Sequence, residues 1–227
     1  MLGRAAVAMW WDIAAEMESE FEHWHSIEHM PERLSIPGFR PGTRWKSNGG
    51  SSYFVLYEAR SFATISSGPY LERLNNPTPW SQNLMPHHRN MVRSLCRLRW
   101  SSGAFISRAL LTIRIKCRPR RAQHLTQALG QEVLPALAKK PQVVGAHLLE
   151  SVTPSRSAMT TEQKIRGGDA TADRVILVSS YDPNVLDAIA LEELGDEVLT
   201  SHGGSEGALR GFYLPALSLV FSETTAT

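Results

Sequence analysis

The side chains best suited to moving protons fall in one run, Glu20 to Leu34, which reads EFEHWHSIEHMPERL. It holds His23, His25 and His29 together with Glu20, Glu22, Glu28 and Glu32. On a helix, His25 and His29 are four residues apart and share a face, while Glu28 stands three from His25 and beside His29. A neutral imidazole accepts a proton near neutral pH, and a carboxylate orients it or stabilises its cation. The spacing therefore predicts His29 as general base or acid, with Glu28 or His25 orienting it or carrying the partner proton. The same letters spell H-x-x-E-H, a zinc-peptidase pattern in which two histidines hold the metal and the glutamate is the base. Such a site needs a third ligand, so no metal is expected; a metal-dependent enzyme using His25 and His29 stands as an alternative. Trp24, Ile27 and Met30 are interleaved with the polar residues, which argues for a partly buried helix over a wholly solvated one.

The elements that must hold this helix can be read on both sides of it. Arg4 to Ile13, with Trp10 and Trp11, suits a buried strand. Ala15 to Met30 has helical spacing, Pro31 is expected to break it, and Glu32 to Leu34 forms at most a last turn. SIPGFRPG leads into a strand containing Arg44 and Trp45, Asn48-Gly49-Gly50 signals a hairpin, and Tyr53 to Ala59 is the next strand. A helix over Ser61 to Leu74, a loop over Asn75 to Trp80 and a short helix over Ser81 to Arg89 follow. Val92 to Trp100 then alternates with period two, Val92, Ser94, Cys96, Leu98 and Trp100 on one side. The order is β-α-β-β-α-β, and Ser101-Ser102-Gly103 is the expected joint. The grammar then repeats: strand Arg108 to Lys116, helix Arg120 to Ala138, strand Val143 to Glu150, a long polar loop over Ser151 to Ala172, strand Arg174 to Tyr181, helix Asn184 to Thr200, strand Leu209 to Phe221 and a frayed SETTAT tail. The predicted fold class is α+β: two ferredoxin-like βαββαβ units, residues 1–102 and 103–227, fused in one chain. Their antiparallel sheets are expected to pack face to face as an α/β-barrel pseudo-dimer, since each sheet has one face bare of helices.

Composition narrows the function. The 227 residues are 42% hydrophobic and carry a net charge of +2, which gives no basic stripe for nucleic acid. No apolar run reaches the roughly 18 residues of a membrane span, and no targeting signal is read at the N-terminus, so a cytoplasmic protein is expected. Cys96 and Cys117 read as reduced core thiols. No dinucleotide or phosphate-binding string occurs, and no cofactor is expected. Around the helix, Arg33 and Arg44 could hold an anionic part of a substrate. Trp11, Asp12, Tyr57 and Trp80 are placed as pocket residues. His87-His88 is assigned a capping or surface role.

The run from Trp24 to Phe39, W-H-x-x-E-H-M-P-E-R-L-x-x-P-G-F, resembles the EthD-like members of the dimeric α/β-barrel superfamily. YFVLYEA, PYLERLNNPTPW and MVRSLCRLRW look like the third strand, second helix and fourth strand of that plan. The resemblance covers about residues 4 to 100. The second half resembles the fold alone, and its first helix carries only His124. The resemblance implies a ligand between sheet and helices, with His29 facing it. The superfamily spans monooxygenases without cofactors, isomerases, dehydrochlorinases, decarboxylating enzymes and haem-binding members. The expected function is therefore a cofactor-independent lyase or isomerase, working by His/Glu acid–base chemistry on a small oxygenated, aromatic metabolite by elimination, isomerisation or decarboxylation. A haem- or hydrophobic-ligand-binding protein is the alternative from a different class. The expected partners are a small-molecule substrate and a second copy in a homodimer, with no nucleic acid and no membrane.

Overall fold

In the computed structural model of the chain, residues 1, 3–152 and 158–220 are described. The strands of the first half are β1 (Ala5–Ile13), β2 (Phe39–Ser47), β3 (Ser52–Ala59) and β4 (His88–Gly103). Those of the second are β5 (Ala109–Ile115), β6 (Val143–Ser151), β7 (Arg174–Ser180) and β8 (Leu209–Leu219). They close into one antiparallel barrel in the order β1-β3-β2-β8-β5-β7-β6-β4. The last strand of each half pairs with the second strand of the other, β8 with β2 and β4 with β6. The two bare sheet faces meet as expected. They do so by closure, which also leaves no strand edge unpaired.

Strand alternation sorts the core into three parts. Ala6, Ala8 and Trp10 of β1 point into the barrel with Trp45, Phe54, Leu56 and Cys96. Val7, Met9, Trp11 and Ile13 point outward, under the helices of the first half. The helices of the second half cover the outward faces of β5, β6 and β7. In β4 the period slips: a register shift between Leu98 and Trp100 opposite β6 makes Arg99 an extra residue. Trp100 therefore does not share the side of Cys96 and Leu98; it turns out onto the second-half helices. Ser101, Ser102 and Gly103 are the end of β4, not a joint, and the crossing lies at residues 104–108.

The first helical region is α1 (Glu18–Trp24), a π turn over His25–His29, and α2 (Met30–Leu34). The break expected at Pro31 does not occur. The Met30 N–H bonds the His25 carbonyl five residues back, and this wider turn lets the helix run on through a residue that has no N–H to give. The second half repeats the device in α5 (Ala122–Ala128), a π turn over Leu129–Val133, and α6 (Leu134–Leu137) with Pro135. There the first and last π positions are Leu129 and Val133, where the first half has His25 and His29.

Of the remaining helices, α3 (Gly68–Asn75) and α4 (Pro79–Leu84) lie between β3 and β4. The short helix expected to reach Arg89 ends earlier, because His88 already belongs to β4. The segment expected to be loop from Ser151 to Ala172 contains α7 (Thr161–Ile165). The helix expected over Asn184 to Thr200 is two, α8 (Pro183–Leu191) and α9 (Asp196–Ser201). Phe221 and the tail lie outside the described residues. Both cysteines are free thiols; Cys96 is buried in the barrel, and Cys117 lies past the end of β5 and is half-buried. Among the described residues no helix is long and apolar enough to cross a membrane.

Candidate active site

The π turn, β1, β3 and β4 enclose a small cavity of about 30 Å³ outside the barrel wall, room for one or two waters. His25, His29, His88, Tyr57, Arg33 and Arg93 are among its walls. Trp24 and His29 are five residues apart and stack at 4.4 Å between ring centroids. A π turn aligns residues at that spacing, whereas an α-helix aligns those at three and four.

His25 is 1% exposed and fully engaged. Arg44 Nη1 donates to its Nδ1 at 3.4 Å, so Nε2 carries the hydrogen and donates to the Tyr57 hydroxyl at 3.1 Å. No lone pair is left to accept a proton. His29 is 6% exposed, and its Nδ1 has no hydrogen-bond partner. The nearest carboxylate to that nitrogen is Glu32 Oε2 at 3.9 Å, too long for a hydrogen bond. His88 donates from Nδ1 to the Met85 carbonyl at 3.1 Å, which leaves the Nε2 lone pair free. All three imidazoles are held neutral. Burial depresses the pKa of each first; Arg44 acts next on His25, Arg33 next on His29, and Arg166 next on His88, which falls to about 3.

Charged residues from the second half close the cavity. Glu162 of α7 forms a buried ion pair with Arg33 and a second, at 3.3 Å, with Arg166, which also grips Asp169 at 3.1 Å. Arg33 Nη1 remains buried without a partner, as does Trp11 Nε1. Two unpaired donors and an unpaired imidazole nitrogen thus belong to residues of one cavity. Three arginines, Arg33, Arg93 and Arg166, and one carboxylate, Glu162, line the cavity, with Asp169 and Glu32 standing against its wall residues Arg166 and His29.

Of the residues picked from sequence, His25, His29, Arg33, Trp11 and Tyr57 meet at this cavity. Glu28 does not: its carboxylate accepts from Trp24 Nε1 at 3.1 Å and Thr78 Oγ1 at 2.6 Å, on the side facing α4. The wider turn carries position 28 off the His29 side, and Glu32 is the carboxylate near that ring. Arg44 is buried behind His25, bonded to it and to the Glu22 carbonyl at 3.2 Å. Asp12 sits at the end of β1, accepting from Ser52 and Asn90. Trp80 lies on α4 and donates to Glu20 at 2.7 Å, with the exposed His23 beside it.

Sequence reasoning missed His88, Arg93, Glu162 and Arg166. Nothing local marks the first two. The helix that carries Glu162 did have a signature: Thr160 and Gln163 form a capping box, and Gly167 and Gly168, both at positive φ, end it.

Both nitrogens of His25 are taken, so of the two histidines considered as haem ligands only His29, with its unpaired Nδ1, keeps a nitrogen to offer an iron. Among the described residues no three His, Cys, Asp or Glu side chains are grouped to hold a metal ion.

No protein-family model matches the chain, and no curated protein does. Solved structures do. An anthrone oxidase-like protein aligns with TM-score 0.68 at 10% identity over 95% of this chain and 92% of its own. A monooxygenase-type protein from Lactobacillus acidophilus aligns at 0.57, with 10% identity over 96% of both chains. A chlorite dismutase variant from Candidatus Nitrospira defluvii, solved with cyanide, aligns at 0.51, with 12% identity over 95% of this chain and 92% of that one. Identity this low speaks for the fold alone. The closed eight-strand barrel built from two βαββαβ halves, and its likeness to these structures, give this chain the fold of the dimeric α/β-barrel superfamily.

Proposed function

We propose that the cavity is an active site in which His29 takes a proton from a small oxygenated compound, aromatic or enolisable, without a bound cofactor. The observation that carries this reading is the neutral His29 imidazole, with Nδ1 unpaired, in one cavity with unpaired donors on Arg33 and Trp11. Those donors suit the oxygen on which negative charge develops, and the guanidinium of Arg33 lowers the energy of the resulting anion. The free Nε2 of His88 suits a substrate hydroxyl. Once protonated, His29 has the Glu32 carboxylate near its Nδ1. Glu32 is thus a positioning residue in the role first given to Glu28.

A carbanion formed this way can be reprotonated elsewhere, expel a leaving group or lose carbon dioxide, the isomerase and lyase outcomes. The names of the neighbouring structures add transfer of its electrons to dioxygen. Proton removal is common to all of these. The test substrate is anthrone, whose methylene protons are acidic. In deuterated buffer under argon the protein is expected to speed their exchange, and His29→Ala to slow the catalysed rate by about 10²–10⁴. Exchange that survives the substitution within about twofold, far inside that range, would sink the assignment. A homodimer is the proposed assembly; the outward side chains Phe212 and Leu214 on β8, each 39% exposed, favour it, and sedimentation equilibrium tests it.

A further inference from the structure

The small cavity has a larger neighbour. Between α3 and α7 runs a groove of about 340 Å³, walled mainly by apolar side chains including Ile65, Leu71, Leu95 and Met159. Leu71 and Met159 are 42% and 47% exposed at its rim. Tyr70, Leu74 and Arg93 line both this groove and the histidine cavity. The partition between the two spaces is therefore made of three side chains, and its polar part is one pair: Arg93 Nη2 donates to the Tyr70 hydroxyl at 2.8 Å. The guanidinium also stands 5.8 Å from the Tyr70 ring centroid.

Arg93 differs from the other arginines of the cavity. Arg33 and Arg166 are each paired with carboxylates of the α7 region. Arg93, among the described residues, forms no ion pair, and its side chain bonds only the neutral hydroxyl of Tyr70. A guanidinium presents a fork of donors matched to a carboxylate, and a phenol satisfies one of them. Asp169 also lines the groove, and its charge and that of Glu162 act on Arg93, but both carboxylates are held in ion pairs by Arg166 and Arg33. A cation at the inner end of the groove with no ion pair of its own is complementary to a ligand with a hydrocarbon body and one negative end.

We propose that the groove between α3 and α7 binds the hydrocarbon body of an apolar carboxylic acid, and that its carboxylate pairs with Arg93. Tyr70 then acts as the movable half of the partition, and the ligand's head stands at the entrance to the histidine cavity. This deepens the proposed function by naming a substrate class, and it rests on that reading only where the head group meets His29.

Equilibrium dialysis with 2-naphthoate and its neutral counterpart 2-naphthamide tests it. The wild-type protein is expected to bind the carboxylate at least about tenfold more tightly, and Arg93→Gln to abolish that preference. Leu71→Glu alters an exposed rim residue and adds a like charge, so it is expected to weaken naphthoate by about tenfold in a folded protein. Equal binding of the two probes to the wild type would overturn the proposal, as would a folded Arg93→Gln protein that keeps the preference. Should Arg93→Gln fail to fold, undiminished naphthoate binding by Leu71→Glu overturns it, and the expected weakening upholds it. His29→Ala separates the two readings. Naphthoate bound as in the wild type supports the groove whatever happens to anthrone exchange. Exchange lost in His29→Ala beside a wild-type protein that ignores the carboxylate removes the groove and leaves the base.

Discussion

Hydrogen-bond chemistry divides the labour between the two histidines of the π turn. An arginine cannot accept, so its contact with His25 Nδ1 puts the hydrogen of that ring on Nε2, where Tyr57 receives it. His25 is thereby a spacer, stiff and neutral, between Arg44 and Tyr57. His29 has no such commitments. Because burial, and then Arg33, depress its pKa well below 6.5, it is already unprotonated through the neutral range. The rate of proton abstraction is therefore expected to stay level from pH 8 to pH 6, with no fall at the ordinary histidine pKa; a drop centred near 6.5 in the pH–rate profile would contradict the assignment. Removing the Tyr57 hydroxyl strands the buried Nε2–H of His25. Tyr57→Phe is expected to cost about 1–3 kcal/mol in urea unfolding, and a loss below about 0.5 kcal/mol would mean that the bond contributes little.

At the scale of the element, the wide turn before Pro31 decides what faces the cavity. It stacks Trp24 on His29, while the indole N–H of Trp24 and the Thr78 hydroxyl hold the Glu28 carboxylate on the side away from the cavity. Pro31→Ala returns an N–H to the helix and lets the turn tighten toward α geometry. The expected result is a stability change within about 1 kcal/mol, a changed near-ultraviolet circular dichroism band as the Trp24 stack is lost, and slower anthrone exchange. An unaltered spectrum with full activity would show that the turn is held by its surroundings and not by the proline. The second half keeps the same turn over Leu129–Val133 without any imidazole. The turn thus belongs to the fold, and its chemistry is specific to one copy. The α7 segment has the converse role: short and locally capped, it brings Glu162 across from the second half to neutralise Arg33.

Four histidines spread over both halves, His25, His29, His88 and His147, are stored in neutral form. His147, inside the barrel wall with Nδ1 bonded to Ser101, has its pKa lowered to about 3 by burial first and then by the N-terminal amine. His25, His29 and His88 are shifted in the same direction. An unfolded histidine titrates near 6.5, so between there and pH 3 the unfolded chain binds more protons than the folded one. The stability these residues confer is complete above about pH 6.5 and is lost as the pH falls toward 3. For His147 alone the slope is about 1.4 kcal/mol per pH unit, and the others add to it. Urea midpoints are expected to be level from pH 8 to 7 and to decline steeply from 6.5 to 5, with His147→Asn showing the shallower decline. A midpoint constant to pH 5 would mean that these imidazoles already hold protons in the folded state.

Periodicity was enough to read the eight strands, the doubled βαββαβ order and the polar helix, because each depends on neighbours a few residues away. Trp10 and Trp11 show how far this goes: adjacent in a strand, they had to face opposite ways, and one lies in the barrel while the other lines the cavity. Pairing of the halves could be argued from burial alone, but closure through β2–β8 and β4–β6 could not, since strand register across a fold leaves no local trace. The same holds for the site. His25 and His29 were legible because their partners in spacing are on the same helix. Glu32 displaced Glu28 because one residue more per turn moves a side chain to another face. His88, Arg93 and Glu162 reach the cavity from β4 and α7, up to 129 residues from Arg33 in the chain. Such contacts form only when the barrel closes, and no pattern of residue types encodes them.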